Sequence, residues 1–390
     1  MHFDDTDFEP TTESEPLRDA IRARIEEEGR ITFAQFMAMA LYHTLHGYYN
    51  SPGEKMGRQG DYLTSPEVHP IFGQLVARQL HEMWQTMGRP PTFDVLEQGA
   101  GNGLLCRDVL RWAQRQAPDF LEALRYRLRE TSDELVRRQR RNIELLGTVA
   151  AEQVRWEEAS APLDAVEGCA LSNELVDSFP VHRVLMENGG LREIYVTWKD
   201  GRFQEETGPP SSPALAAYFE ALGLWPGEGC RAEVNLAAVD WMRQVALALR
   251  RGFVMTFDYG YEAADLYAPW RRDGTLLCFY RHSAAGDPYA RIGCQDMTSH
   301  VDFTTLARTG EAHGLSLLGI TTQERFLTAL GIGGALAPPQ GPEARLEEYY
   351  ARRRAVTELT DPAGLGRIKV MLQEKGIGTV DLLGLQLAAS

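Results

Sequence analysis

The pattern of apolar and polar positions predicts a chain in which helices alternate with short strands. Helical spacing of apolar residues begins near the start, where Leu17, Ile21 and Ile25 fall on one face. Because strands that alternate with helices favour a parallel sheet covered on both faces, the predicted fold class is α/β. Short segments that fit strands lie at 93–96, 125–130, 154–156, 169–174 and 252–258.

The same pattern divides the chain into four parts. Residues 1–15 are acidic and poor in apolar positions, which predicts a disordered tail. Residues 16–90 predict an N-terminal helical region. Residues 91–260 predict the core of the sheet, interrupted at about 185–235 by an insertion of short alternating strands. Residues 261–390 predict a loop-rich lid and then the last strands, expected at 316–322 and 368–372.

A helix start is predicted within residues 60–67, Gly-Asp-Tyr-Leu-Thr-Ser-Pro-Glu. Ser65 is the expected N-cap and Pro66 the first helical residue of a helix that continues to Met87. The simplest interpretation of Thr64 and Ser65 is that they cap this helix. The free backbone N–H groups of such a start could also receive a ligand carboxylate.

Composition narrows the class of protein. A net charge of −15 argues against nucleic-acid binding, since no excess of Lys and Arg is present to neutralise phosphates. No apolar run reaches the length of a membrane span. The acidic start is unlike a basic transit peptide, and the absence of a C-x-x-C motif argues against a metal site. These features, with five widely spaced cysteines, predict a cytoplasmic location.

A glycine-rich turn follows the strand predicted at 93–96. Glu97 ends the strand, and three alternating glycines come next, Gly99, Gly101 and Gly103. Glycine permits positive φ and lets a ligand approach the backbone closely. A strand, glycine turn and helix in this order indicate a nucleotide-binding unit or, more simply, a tight turn.

The spacing of these glycines excludes the dinucleotide fingerprint. G-x-G-x-x-G requires a small residue where Leu104 or Cys106 stands. An acidic residue followed by G-x-G-x-G instead resembles the first motif of class I S-adenosylmethionine (SAM) methyltransferases.

Polar residues end two further predicted strands. Glu130 ends the second strand, where a carboxylate can bind ribose hydroxyls or interact with the dipole of the next helix. The third strand would place Trp156 or Glu157 near an adenine. Asn173 and Glu174 end the fourth strand, where they could cap a helix, contact a cofactor or contact a substrate.

Seven motifs together resemble the MidA-like methyltransferase family, whose mitochondrial members are complex I assembly factors that methylate arginine. The resemblance implies a class I SAM methyltransferase fold. Such a fold is a Rossmann-like seven-stranded sheet with an N-terminal helical extension and an inserted β/loop lid. The motifs lie at residues 31–49, 60–67, 97–103, 173–182, 258–260, 279–282 and 298–303.

The resemblance implies SAM as the cofactor. The three glycines would pack against SAM, Glu97 would accept from its ammonium group directly or through water, and Glu130 would bind its ribose. Asp61 and Thr64 would close over its methionine end. The cofactor-binding residues implied in this way are Asp61, Thr64, Glu97, Gly99, Gly101, Gly103, Glu130 and Asn173.

The implied acceptor is an arginine of a protein, such as a subunit of respiratory complex I. Glu174 and Asp177, with Asn173, would form the catalytic group, because paired carboxylates can grip a guanidinium. The acceptor pocket would also contain His182, His300 and Asp302. Two alternatives stay open: a small-molecule O- or N-methyltransferase, and an assembly factor that binds SAM but acts through protein contacts.

Overall fold

The computed structural model describes residues 13–51, 55, 57, 60–338 and 346–386. The acidic tail predicted for residues 1–15 lies almost entirely outside these residues. Within them, the first helix begins at Glu15, and the backbone N–H of Ser14 donates to the carbonyl oxygen of Ile292. The start of the described chain is therefore tied to the region predicted as a lid.

The elements follow one another in the order that the apolar pattern predicts, with additions in the second half. The helices are α1 (Glu15–Glu28), α2 (Phe33–Tyr42), α3 (Ser65–Val68), α4 (Ile71–Thr86), α5 (Leu104–Gln116), α6 (Pro118–Ala123), α7 (Asp133–Glu144), α8 (Thr148–Ala151), α9 (Ala214–Leu222), α10 (Leu236–Ala248), α11 (Ala263–Leu266), α12 (Phe303–Ala312), α13 (Gln323–Ala329) and α14 (Leu346–Thr360). The strands are β1 (Ile31–Thr32), β2 (Phe93–Gln98), β3 (Leu124–Glu130), β4 (Val154–Glu158), β5 (Val166–Asn173), β6 (His182–Glu187), β7 (Gly190–Lys199), β8 (Arg202–Gly208), β9 (Arg231–Val234), β10 (Leu249–Asp258), β11 (Gly260–Tyr261), β12 (Leu277–Tyr280), β13 (Ser283–Ala285), β14 (Asp296–Thr298), β15 (Val301–Asp302), β16 (Ser316–Thr322) and β17 (Lys369–Lys375).

A seven-stranded sheet forms the centre of the fold, in the order β16-β17-β10-β5-β2-β3-β4. Strands β2, β3, β4, β5 and β10 are parallel, whereas β17 runs antiparallel to both of its neighbours. The predicted class I methyltransferase fold is confirmed, including the last two strands, β16 and β17. Because β2, β3 and β5 are parallel, their carboxyl ends meet at one edge of the sheet. The polar residues predicted to end these strands therefore lie at that edge.

Both faces of this sheet are covered by helices. Val95 and Phe253 join one core with α4 and α5, whereas their neighbours Leu96 and Val254 join the opposite core with α10 and α12. Successive residues of a strand point to opposite faces, so a strand buried on both sides is apolar without alternation. This explains why the core strands appear in the sequence as short continuous apolar runs.

The insertion predicted at about 185–235 folds as a second sheet, and the N-terminal helices pack on it. This sheet has the order β1-β7-β6-β9, with β8 also paired to β7. Strand β1 supplies the link, because Ile31 lies opposite Val196 of β7. Phe33 and Phe36 of α2 share a buried cluster with Phe203 of the insertion. Helices α1 and α2, strand β1 and the insertion therefore pack as one unit, whereas α4 of the N-terminal region packs on the central sheet.

The helix predicted from Ser65 to Met87 is broken in two. Helix α3 ends at Val68, and His69 is extended, with φ −169° and ψ 148°. The break follows from Pro70, because a proline disfavours helical backbone in the residue before it. The cap also differs from the prediction: the N-cap is Thr64, whose side chain makes no capping bond, and Ser65 is the first helical residue.

The region predicted as a lid contains two small sheets. Strands β12, β13 and β14 form a three-stranded sheet, and β11 pairs with β15. No helix in the described part of the chain has the length and apolarity needed to cross a membrane.

Candidate active site

The glycine turn after β2 has left-handed backbone at each of its three glycines. Their φ angles are +69° at Gly99, +52° at Gly101 and +75° at Gly103. A Cβ at Gly103 would lie 3.1 Å from the Cα of Gln139, and the Gln139 amide donates to the carbonyl oxygen of Gly101 at 2.9 Å. Helix α7 is thereby fixed against the turn, and both the backbone angles and the close approach require glycine here.

A cavity of about 260 Å³ lies above this turn, at the carboxyl ends of β2, β3 and β5. We call it the glycine-turn cavity. The Trp241 indole N–H donates to the side-chain oxygen of Gln98 at 3.0 Å, which places the indole at its wall. The lining residues are Tyr42, Tyr49, Tyr62, Gln98, Gly99, Gly101, Arg129, Glu130, Thr131, Leu135, Ala159, Glu174, Leu175, Ser178, Phe179 and Trp241.

The structure separates the predicted cofactor residues into two groups. Gly99, Gly101 and Glu130 line the glycine-turn cavity. Glu97 does not: it is buried beneath the turn, where it accepts a 2.7 Å hydrogen bond from the Tyr126 hydroxyl, and burial raises its pKa to about 7. Glu97 therefore supports the turn from below, at a position where it cannot receive a ligand ammonium directly.

Other residues predicted near the cofactor are also absent from the lining of the glycine-turn cavity. Gly103 packs against Gln139, and Thr64 is buried at the start of α3. Trp156 donates to the side-chain oxygen of Gln139 at 3.0 Å, and Asn173 contacts Glu174. Side chains that share a strand or turn with a cavity-lining residue need not point into the cavity, which explains these differences.

A second, larger cavity of about 440 Å³ lies beside the first. We call it the carboxylate cavity. Tyr49, Tyr62 and Glu174 line both cavities and form the wall that they share. The lining residues are Tyr49, Asp61, Tyr62, Leu63, Glu174, Asp177, Tyr259, Leu277, Phe279, His282, Asp296, Thr298, His300, Glu358, Asp361, Ala363, Gly364, Leu365 and Arg367.

Glu174 is held in the shared wall by strained backbone and directed hydrogen bonds. Its φ is +51°, in the left-handed region that a residue with a side chain rarely adopts. Its carboxylate oxygen Oε1 accepts from the backbone N–H of Ser65 and from the Asn173 amide, each at 3.0 Å. The free N–H predicted at the start of α3 is thus bonded to a carboxylate of the chain itself. Strain of this kind is maintained where the surroundings over-determine it, as they do in functional sites.

Asp258 positions the turn that carries Glu174. One of its oxygens accepts from the backbone N–H groups of Leu175 (3.2 Å) and Val176 (2.8 Å), and the other accepts from Tyr259 at 2.9 Å. The backbone N–H of Glu174 itself donates to the carbonyl oxygen of Phe257 at 2.9 Å. The ends of β5 and β10 are therefore bonded together directly below the shared wall.

The carboxylate cavity concentrates acidic groups in a region with little solvent. Burial raises the pKa of Glu174 to about 8 and that of Asp296 to about 6. Asp177 has its pKa raised well above the usual range, first by burial and then by the charges of Asp258 and Glu174. Burial also raises the pKa of Asp258 to about 7. The arrangement favours protonated carboxyls, unless a cation enters and restores their charge.

This raised proton affinity predicts that stability falls as the pH rises. The pKa of Glu174 is about 8 in the folded chain, against 4.5 for an ordinary glutamate, so the folded state holds the extra proton between these values. Stability is greatest below the lower value and declines through the upper one. We expect the Tm to fall between about pH 5 and about pH 9, and to fall less in Glu174→Gln. Parallel Tm profiles of the two proteins, measured by calorimetry, would contradict the raised pKa.

The predicted acceptor residues are only partly brought together. Asp177 and His300 line the carboxylate cavity, as does Asp61, which was predicted for the cofactor instead. His182 lies on β6 in the second sheet, with its Nδ1 2.7 Å from Glu193. Asp302 caps α12 and accepts from the Tyr218 hydroxyl at 2.8 Å. His182 and Asp302 thus have structural partners outside both cavities.

Several cavity residues were not identified from the sequence. The Tyr49 hydroxyl donates to Asp296 at 2.7 Å in the lining of the carboxylate cavity, and Tyr62 joins Tyr49 in the shared wall. Tyr259 and Trp241 line one cavity each. The available signals were the aromatic cluster at residues 42–49 and the Asp-Tyr-Gly motif at 258–260, and neither showed which tyrosines face a cavity.

Comparison with known proteins identifies the family. Residues 75–321 match the family of S-adenosyl-L-methionine-dependent methyltransferases. The chain belongs to this family. The predicted MidA-like membership, methyltransferase activity and SAM cofactor are thereby confirmed. The glycine-turn cavity is chemically compatible with that cofactor, because positive φ at its glycines lets a ligand approach the backbone and Glu130 offers a carboxylate for hydroxyl groups. The roles predicted for the individual residues stay predictions.

Individual relatives agree with this methyltransferase assignment. The chain is 28% identical to the Drosophila melanogaster protein arginine methyltransferase NDUFAF7 homolog, over 93% of this chain and 85% of that protein. It is 26% identical to human protein arginine methyltransferase NDUFAF7, over 81% and 74%. Its structure is similar to a Burkholderia thailandensis protein crystallised with S-adenosyl-homocysteine, with a TM-score of 0.87, 33% identity and 96% coverage of both chains.

The same relatives contradict the predicted cytoplasmic location of this methyltransferase. The Drosophila, mouse and human proteins are all named as mitochondrial. The prediction rested partly on unpaired cysteines, which indicate reducing surroundings but do not distinguish one reducing compartment from another.

Proposed function

We propose that this methyltransferase acts on the guanidinium group of an arginine in a protein, and that the carboxylate cavity receives that side chain. The observation that carries the proposal is the wall shared by the two cavities. Glu174 lies in that wall with Tyr49 and Tyr62, and Asp177 and Asp296 line the carboxylate cavity with it. A cation is the ligand that such a set of carboxylates and aromatic rings favours.

The proposed roles follow from position. Glu174 and Asp177 would bind the planar fork of the guanidinium, and Tyr49 and Tyr62 would exclude water from the boundary between the cavities. SAM supplies an electrophilic methyl group when it is bound. Asn173 and the backbone of Ser65 hold Glu174 Oε1, so that its second oxygen can face the acceptor. Holding the acceptor nitrogen at the wall aligns it for an in-line displacement.

Glu174 is also placed to remove a proton from the acceptor. Forming an N–CH₃ bond on a guanidinium nitrogen requires that one N–H proton leave. Burial raises the pKa of Glu174 to about 8, and a bound guanidinium would lower that pKa and displace the proton to solvent, which leaves an ionised carboxylate beside the acceptor nitrogen. That carboxylate can take the proton as methyl transfer proceeds.

Incubation with methyl-labelled SAM and synthetic peptides tests this function. We expect label in a peptide with a single arginine, recovered as ω-N-methylarginine after hydrolysis. The matched control is the same peptide with lysine, which keeps the charge but lacks the planar fork, and which is expected to remain unlabelled. Label in small molecules of a lysate, with none in the arginine peptide, would overturn the proposed acceptor in favour of a small-molecule one.

The family resemblance extends this proposal to the acceptor protein, which would be a subunit of respiratory complex I. The names of the curated relatives, protein arginine methyltransferases, support the arginine and leave the subunit to be identified. Mass spectrometry of complex I from cells with and without this protein would locate the methylated arginine.

A further inference from the structure

Two arginines lie beside the acidic interior of the carboxylate cavity. Arg367 lines the cavity, and its guanidinium carbon lies 5.6 Å from the centre of the Tyr259 ring. Arg271 is placed by a second stack, with its guanidinium carbon 4.5 Å from the Tyr261 ring centre. That ring is in turn 5.2 Å from the ring of His300, which lines the cavity.

The two arginines bring positive charge to a cavity whose other charged lining residues are acidic. Arg367 is exposed, and it is the one Lys or Arg among the described residues that line the cavity. Both arginines lie close enough to His300 to affect its titration. The pKa of His300 is lowered to about 4, first by burial and then by the positive charges of Arg367 and Arg271. Glu358 and Asp361 also line the cavity, and the carboxylate of Asp361 accepts from the backbone N–H of Ala363 at 2.9 Å.

The two stacked arginines are suited to binding a carboxylate. An arginine stacked on an aromatic ring has its planar fork held in place, so less freedom is lost when it binds an acid through two hydrogen bonds. Trp270, next to Arg271 in the chain, is 75% exposed and offers apolar surface to a peptide. The positive charge of the two arginines would repel the guanidinium of the acceptor, so they have no part in holding it.

We infer that Arg271 and Arg367 select acceptor peptides in which an acidic side chain lies close to the arginine to be methylated. This inference rests on the proposed function. The peptide would place its arginine between Glu174 and Asp177 and its acidic neighbour against the two arginines. The opposite charges of the interior and of the arginine pair fix which residue of the peptide enters.

A peptide panel tests the inference. Each peptide has one arginine and, two positions away, glutamate, glutamine or lysine. We expect kcat/KM to be about fivefold higher with glutamate than with glutamine, as for a partly exposed ion pair, and lowest with lysine. In Arg367→Glu the order should reverse, so that the lysine peptide becomes the best. The same ratios, measured at high salt, should move towards one.

The control variant is Arg353→Gln. Arg353 is exposed on α14 and also stacks on a tyrosine, Tyr349 at 5.6 Å, but it does not line the cavity. It should keep the wild-type ratio between glutamate and glutamine peptides. Equal rates for the three peptides in wild-type protein would overturn the inference and leave the arginine acceptor standing. Failure to methylate any of them, with SAM binding intact, would overturn the proposed function and the inference together.

Discussion

Replacing Glu174 by glutamine is expected to abolish methyl transfer while leaving SAM affinity nearly unchanged. Glutamine keeps a side-chain oxygen that can accept from Ser65 and Asn173, so the wall should keep its shape. It cannot carry the negative charge that binds the guanidinium or accept the departing proton. We expect kcat to fall by at least about a hundredfold, in the range that a general base contributes.

Two measurements separate a lost catalytic group from a damaged fold. Calorimetry with SAM should give a dissociation constant close to wild type, and a large loss would reassign Glu174 to the cofactor. The matched variant is Glu193→Gln, since Glu193 is also buried and accepts from a serine backbone N–H, that of Ser211, yet lies outside both cavities. It should retain methyl transfer.

Replacing Gly101 by valine is expected to remove SAM binding, with a loss in affinity of roughly a hundredfold or more. Gly101 lines the glycine-turn cavity at a φ of +52°, so a branched side chain would be strained and would occupy space that the ligand needs. Calorimetric titration with SAM measures the effect. Unchanged binding would mean that the cofactor lies elsewhere.

Gly223→Val is the control for backbone strain alone. Gly223 ends α9 with a φ of +70°, and a Cβ there would meet nothing within 4 Å. Backbone strain should lower the free energy of unfolding by about 1–2 kcal/mol in either variant, but valine at Gly223 should leave SAM affinity unchanged. A loss of affinity in this variant too would show that instability, rather than steric exclusion, explains the effect at Gly101.

The sequence predicted the central sheet because its strands are local apolar runs. Strands at 93–98 and 316–322 follow from such runs and from the turns around them, whereas the strand at 124–130 follows from the alternation of apolar and charged residues. The second sheet was predicted only as an insertion. Its pairing with β1 joins Ile31 to Val196, and no local pattern encodes a contact over that separation.

The site was predictable where function depends on backbone position, and less so where it depends on side-chain direction. The glycines and Glu130 are placed by a strand end, which the apolar pattern locates. Glu97 also ends a strand of the central sheet, but its carboxylate accepts from the Tyr126 hydroxyl below the turn. Asp302 ends β15 of a separate small sheet, where its side chain caps α12. Tyr62 lines both cavities because segments that are distant in the sequence meet there, and no local pattern in the sequence predicts that meeting.

The place of β17 in the sheet bears on how the protein is made. This strand, at residues 369–375, is inserted between β16 and β10, and Leu365 and Arg367 of the carboxylate cavity directly precede it. Until the ribosome has released these residues, β10 has an unpaired edge, the kind of surface that promotes aggregation. A truncated mRNA would thus yield a chain that lacks β17. Such a chain contains the glycine turn but has an exposed sheet edge and an incomplete carboxylate cavity. Such a product would be prone to aggregation as well as inactive.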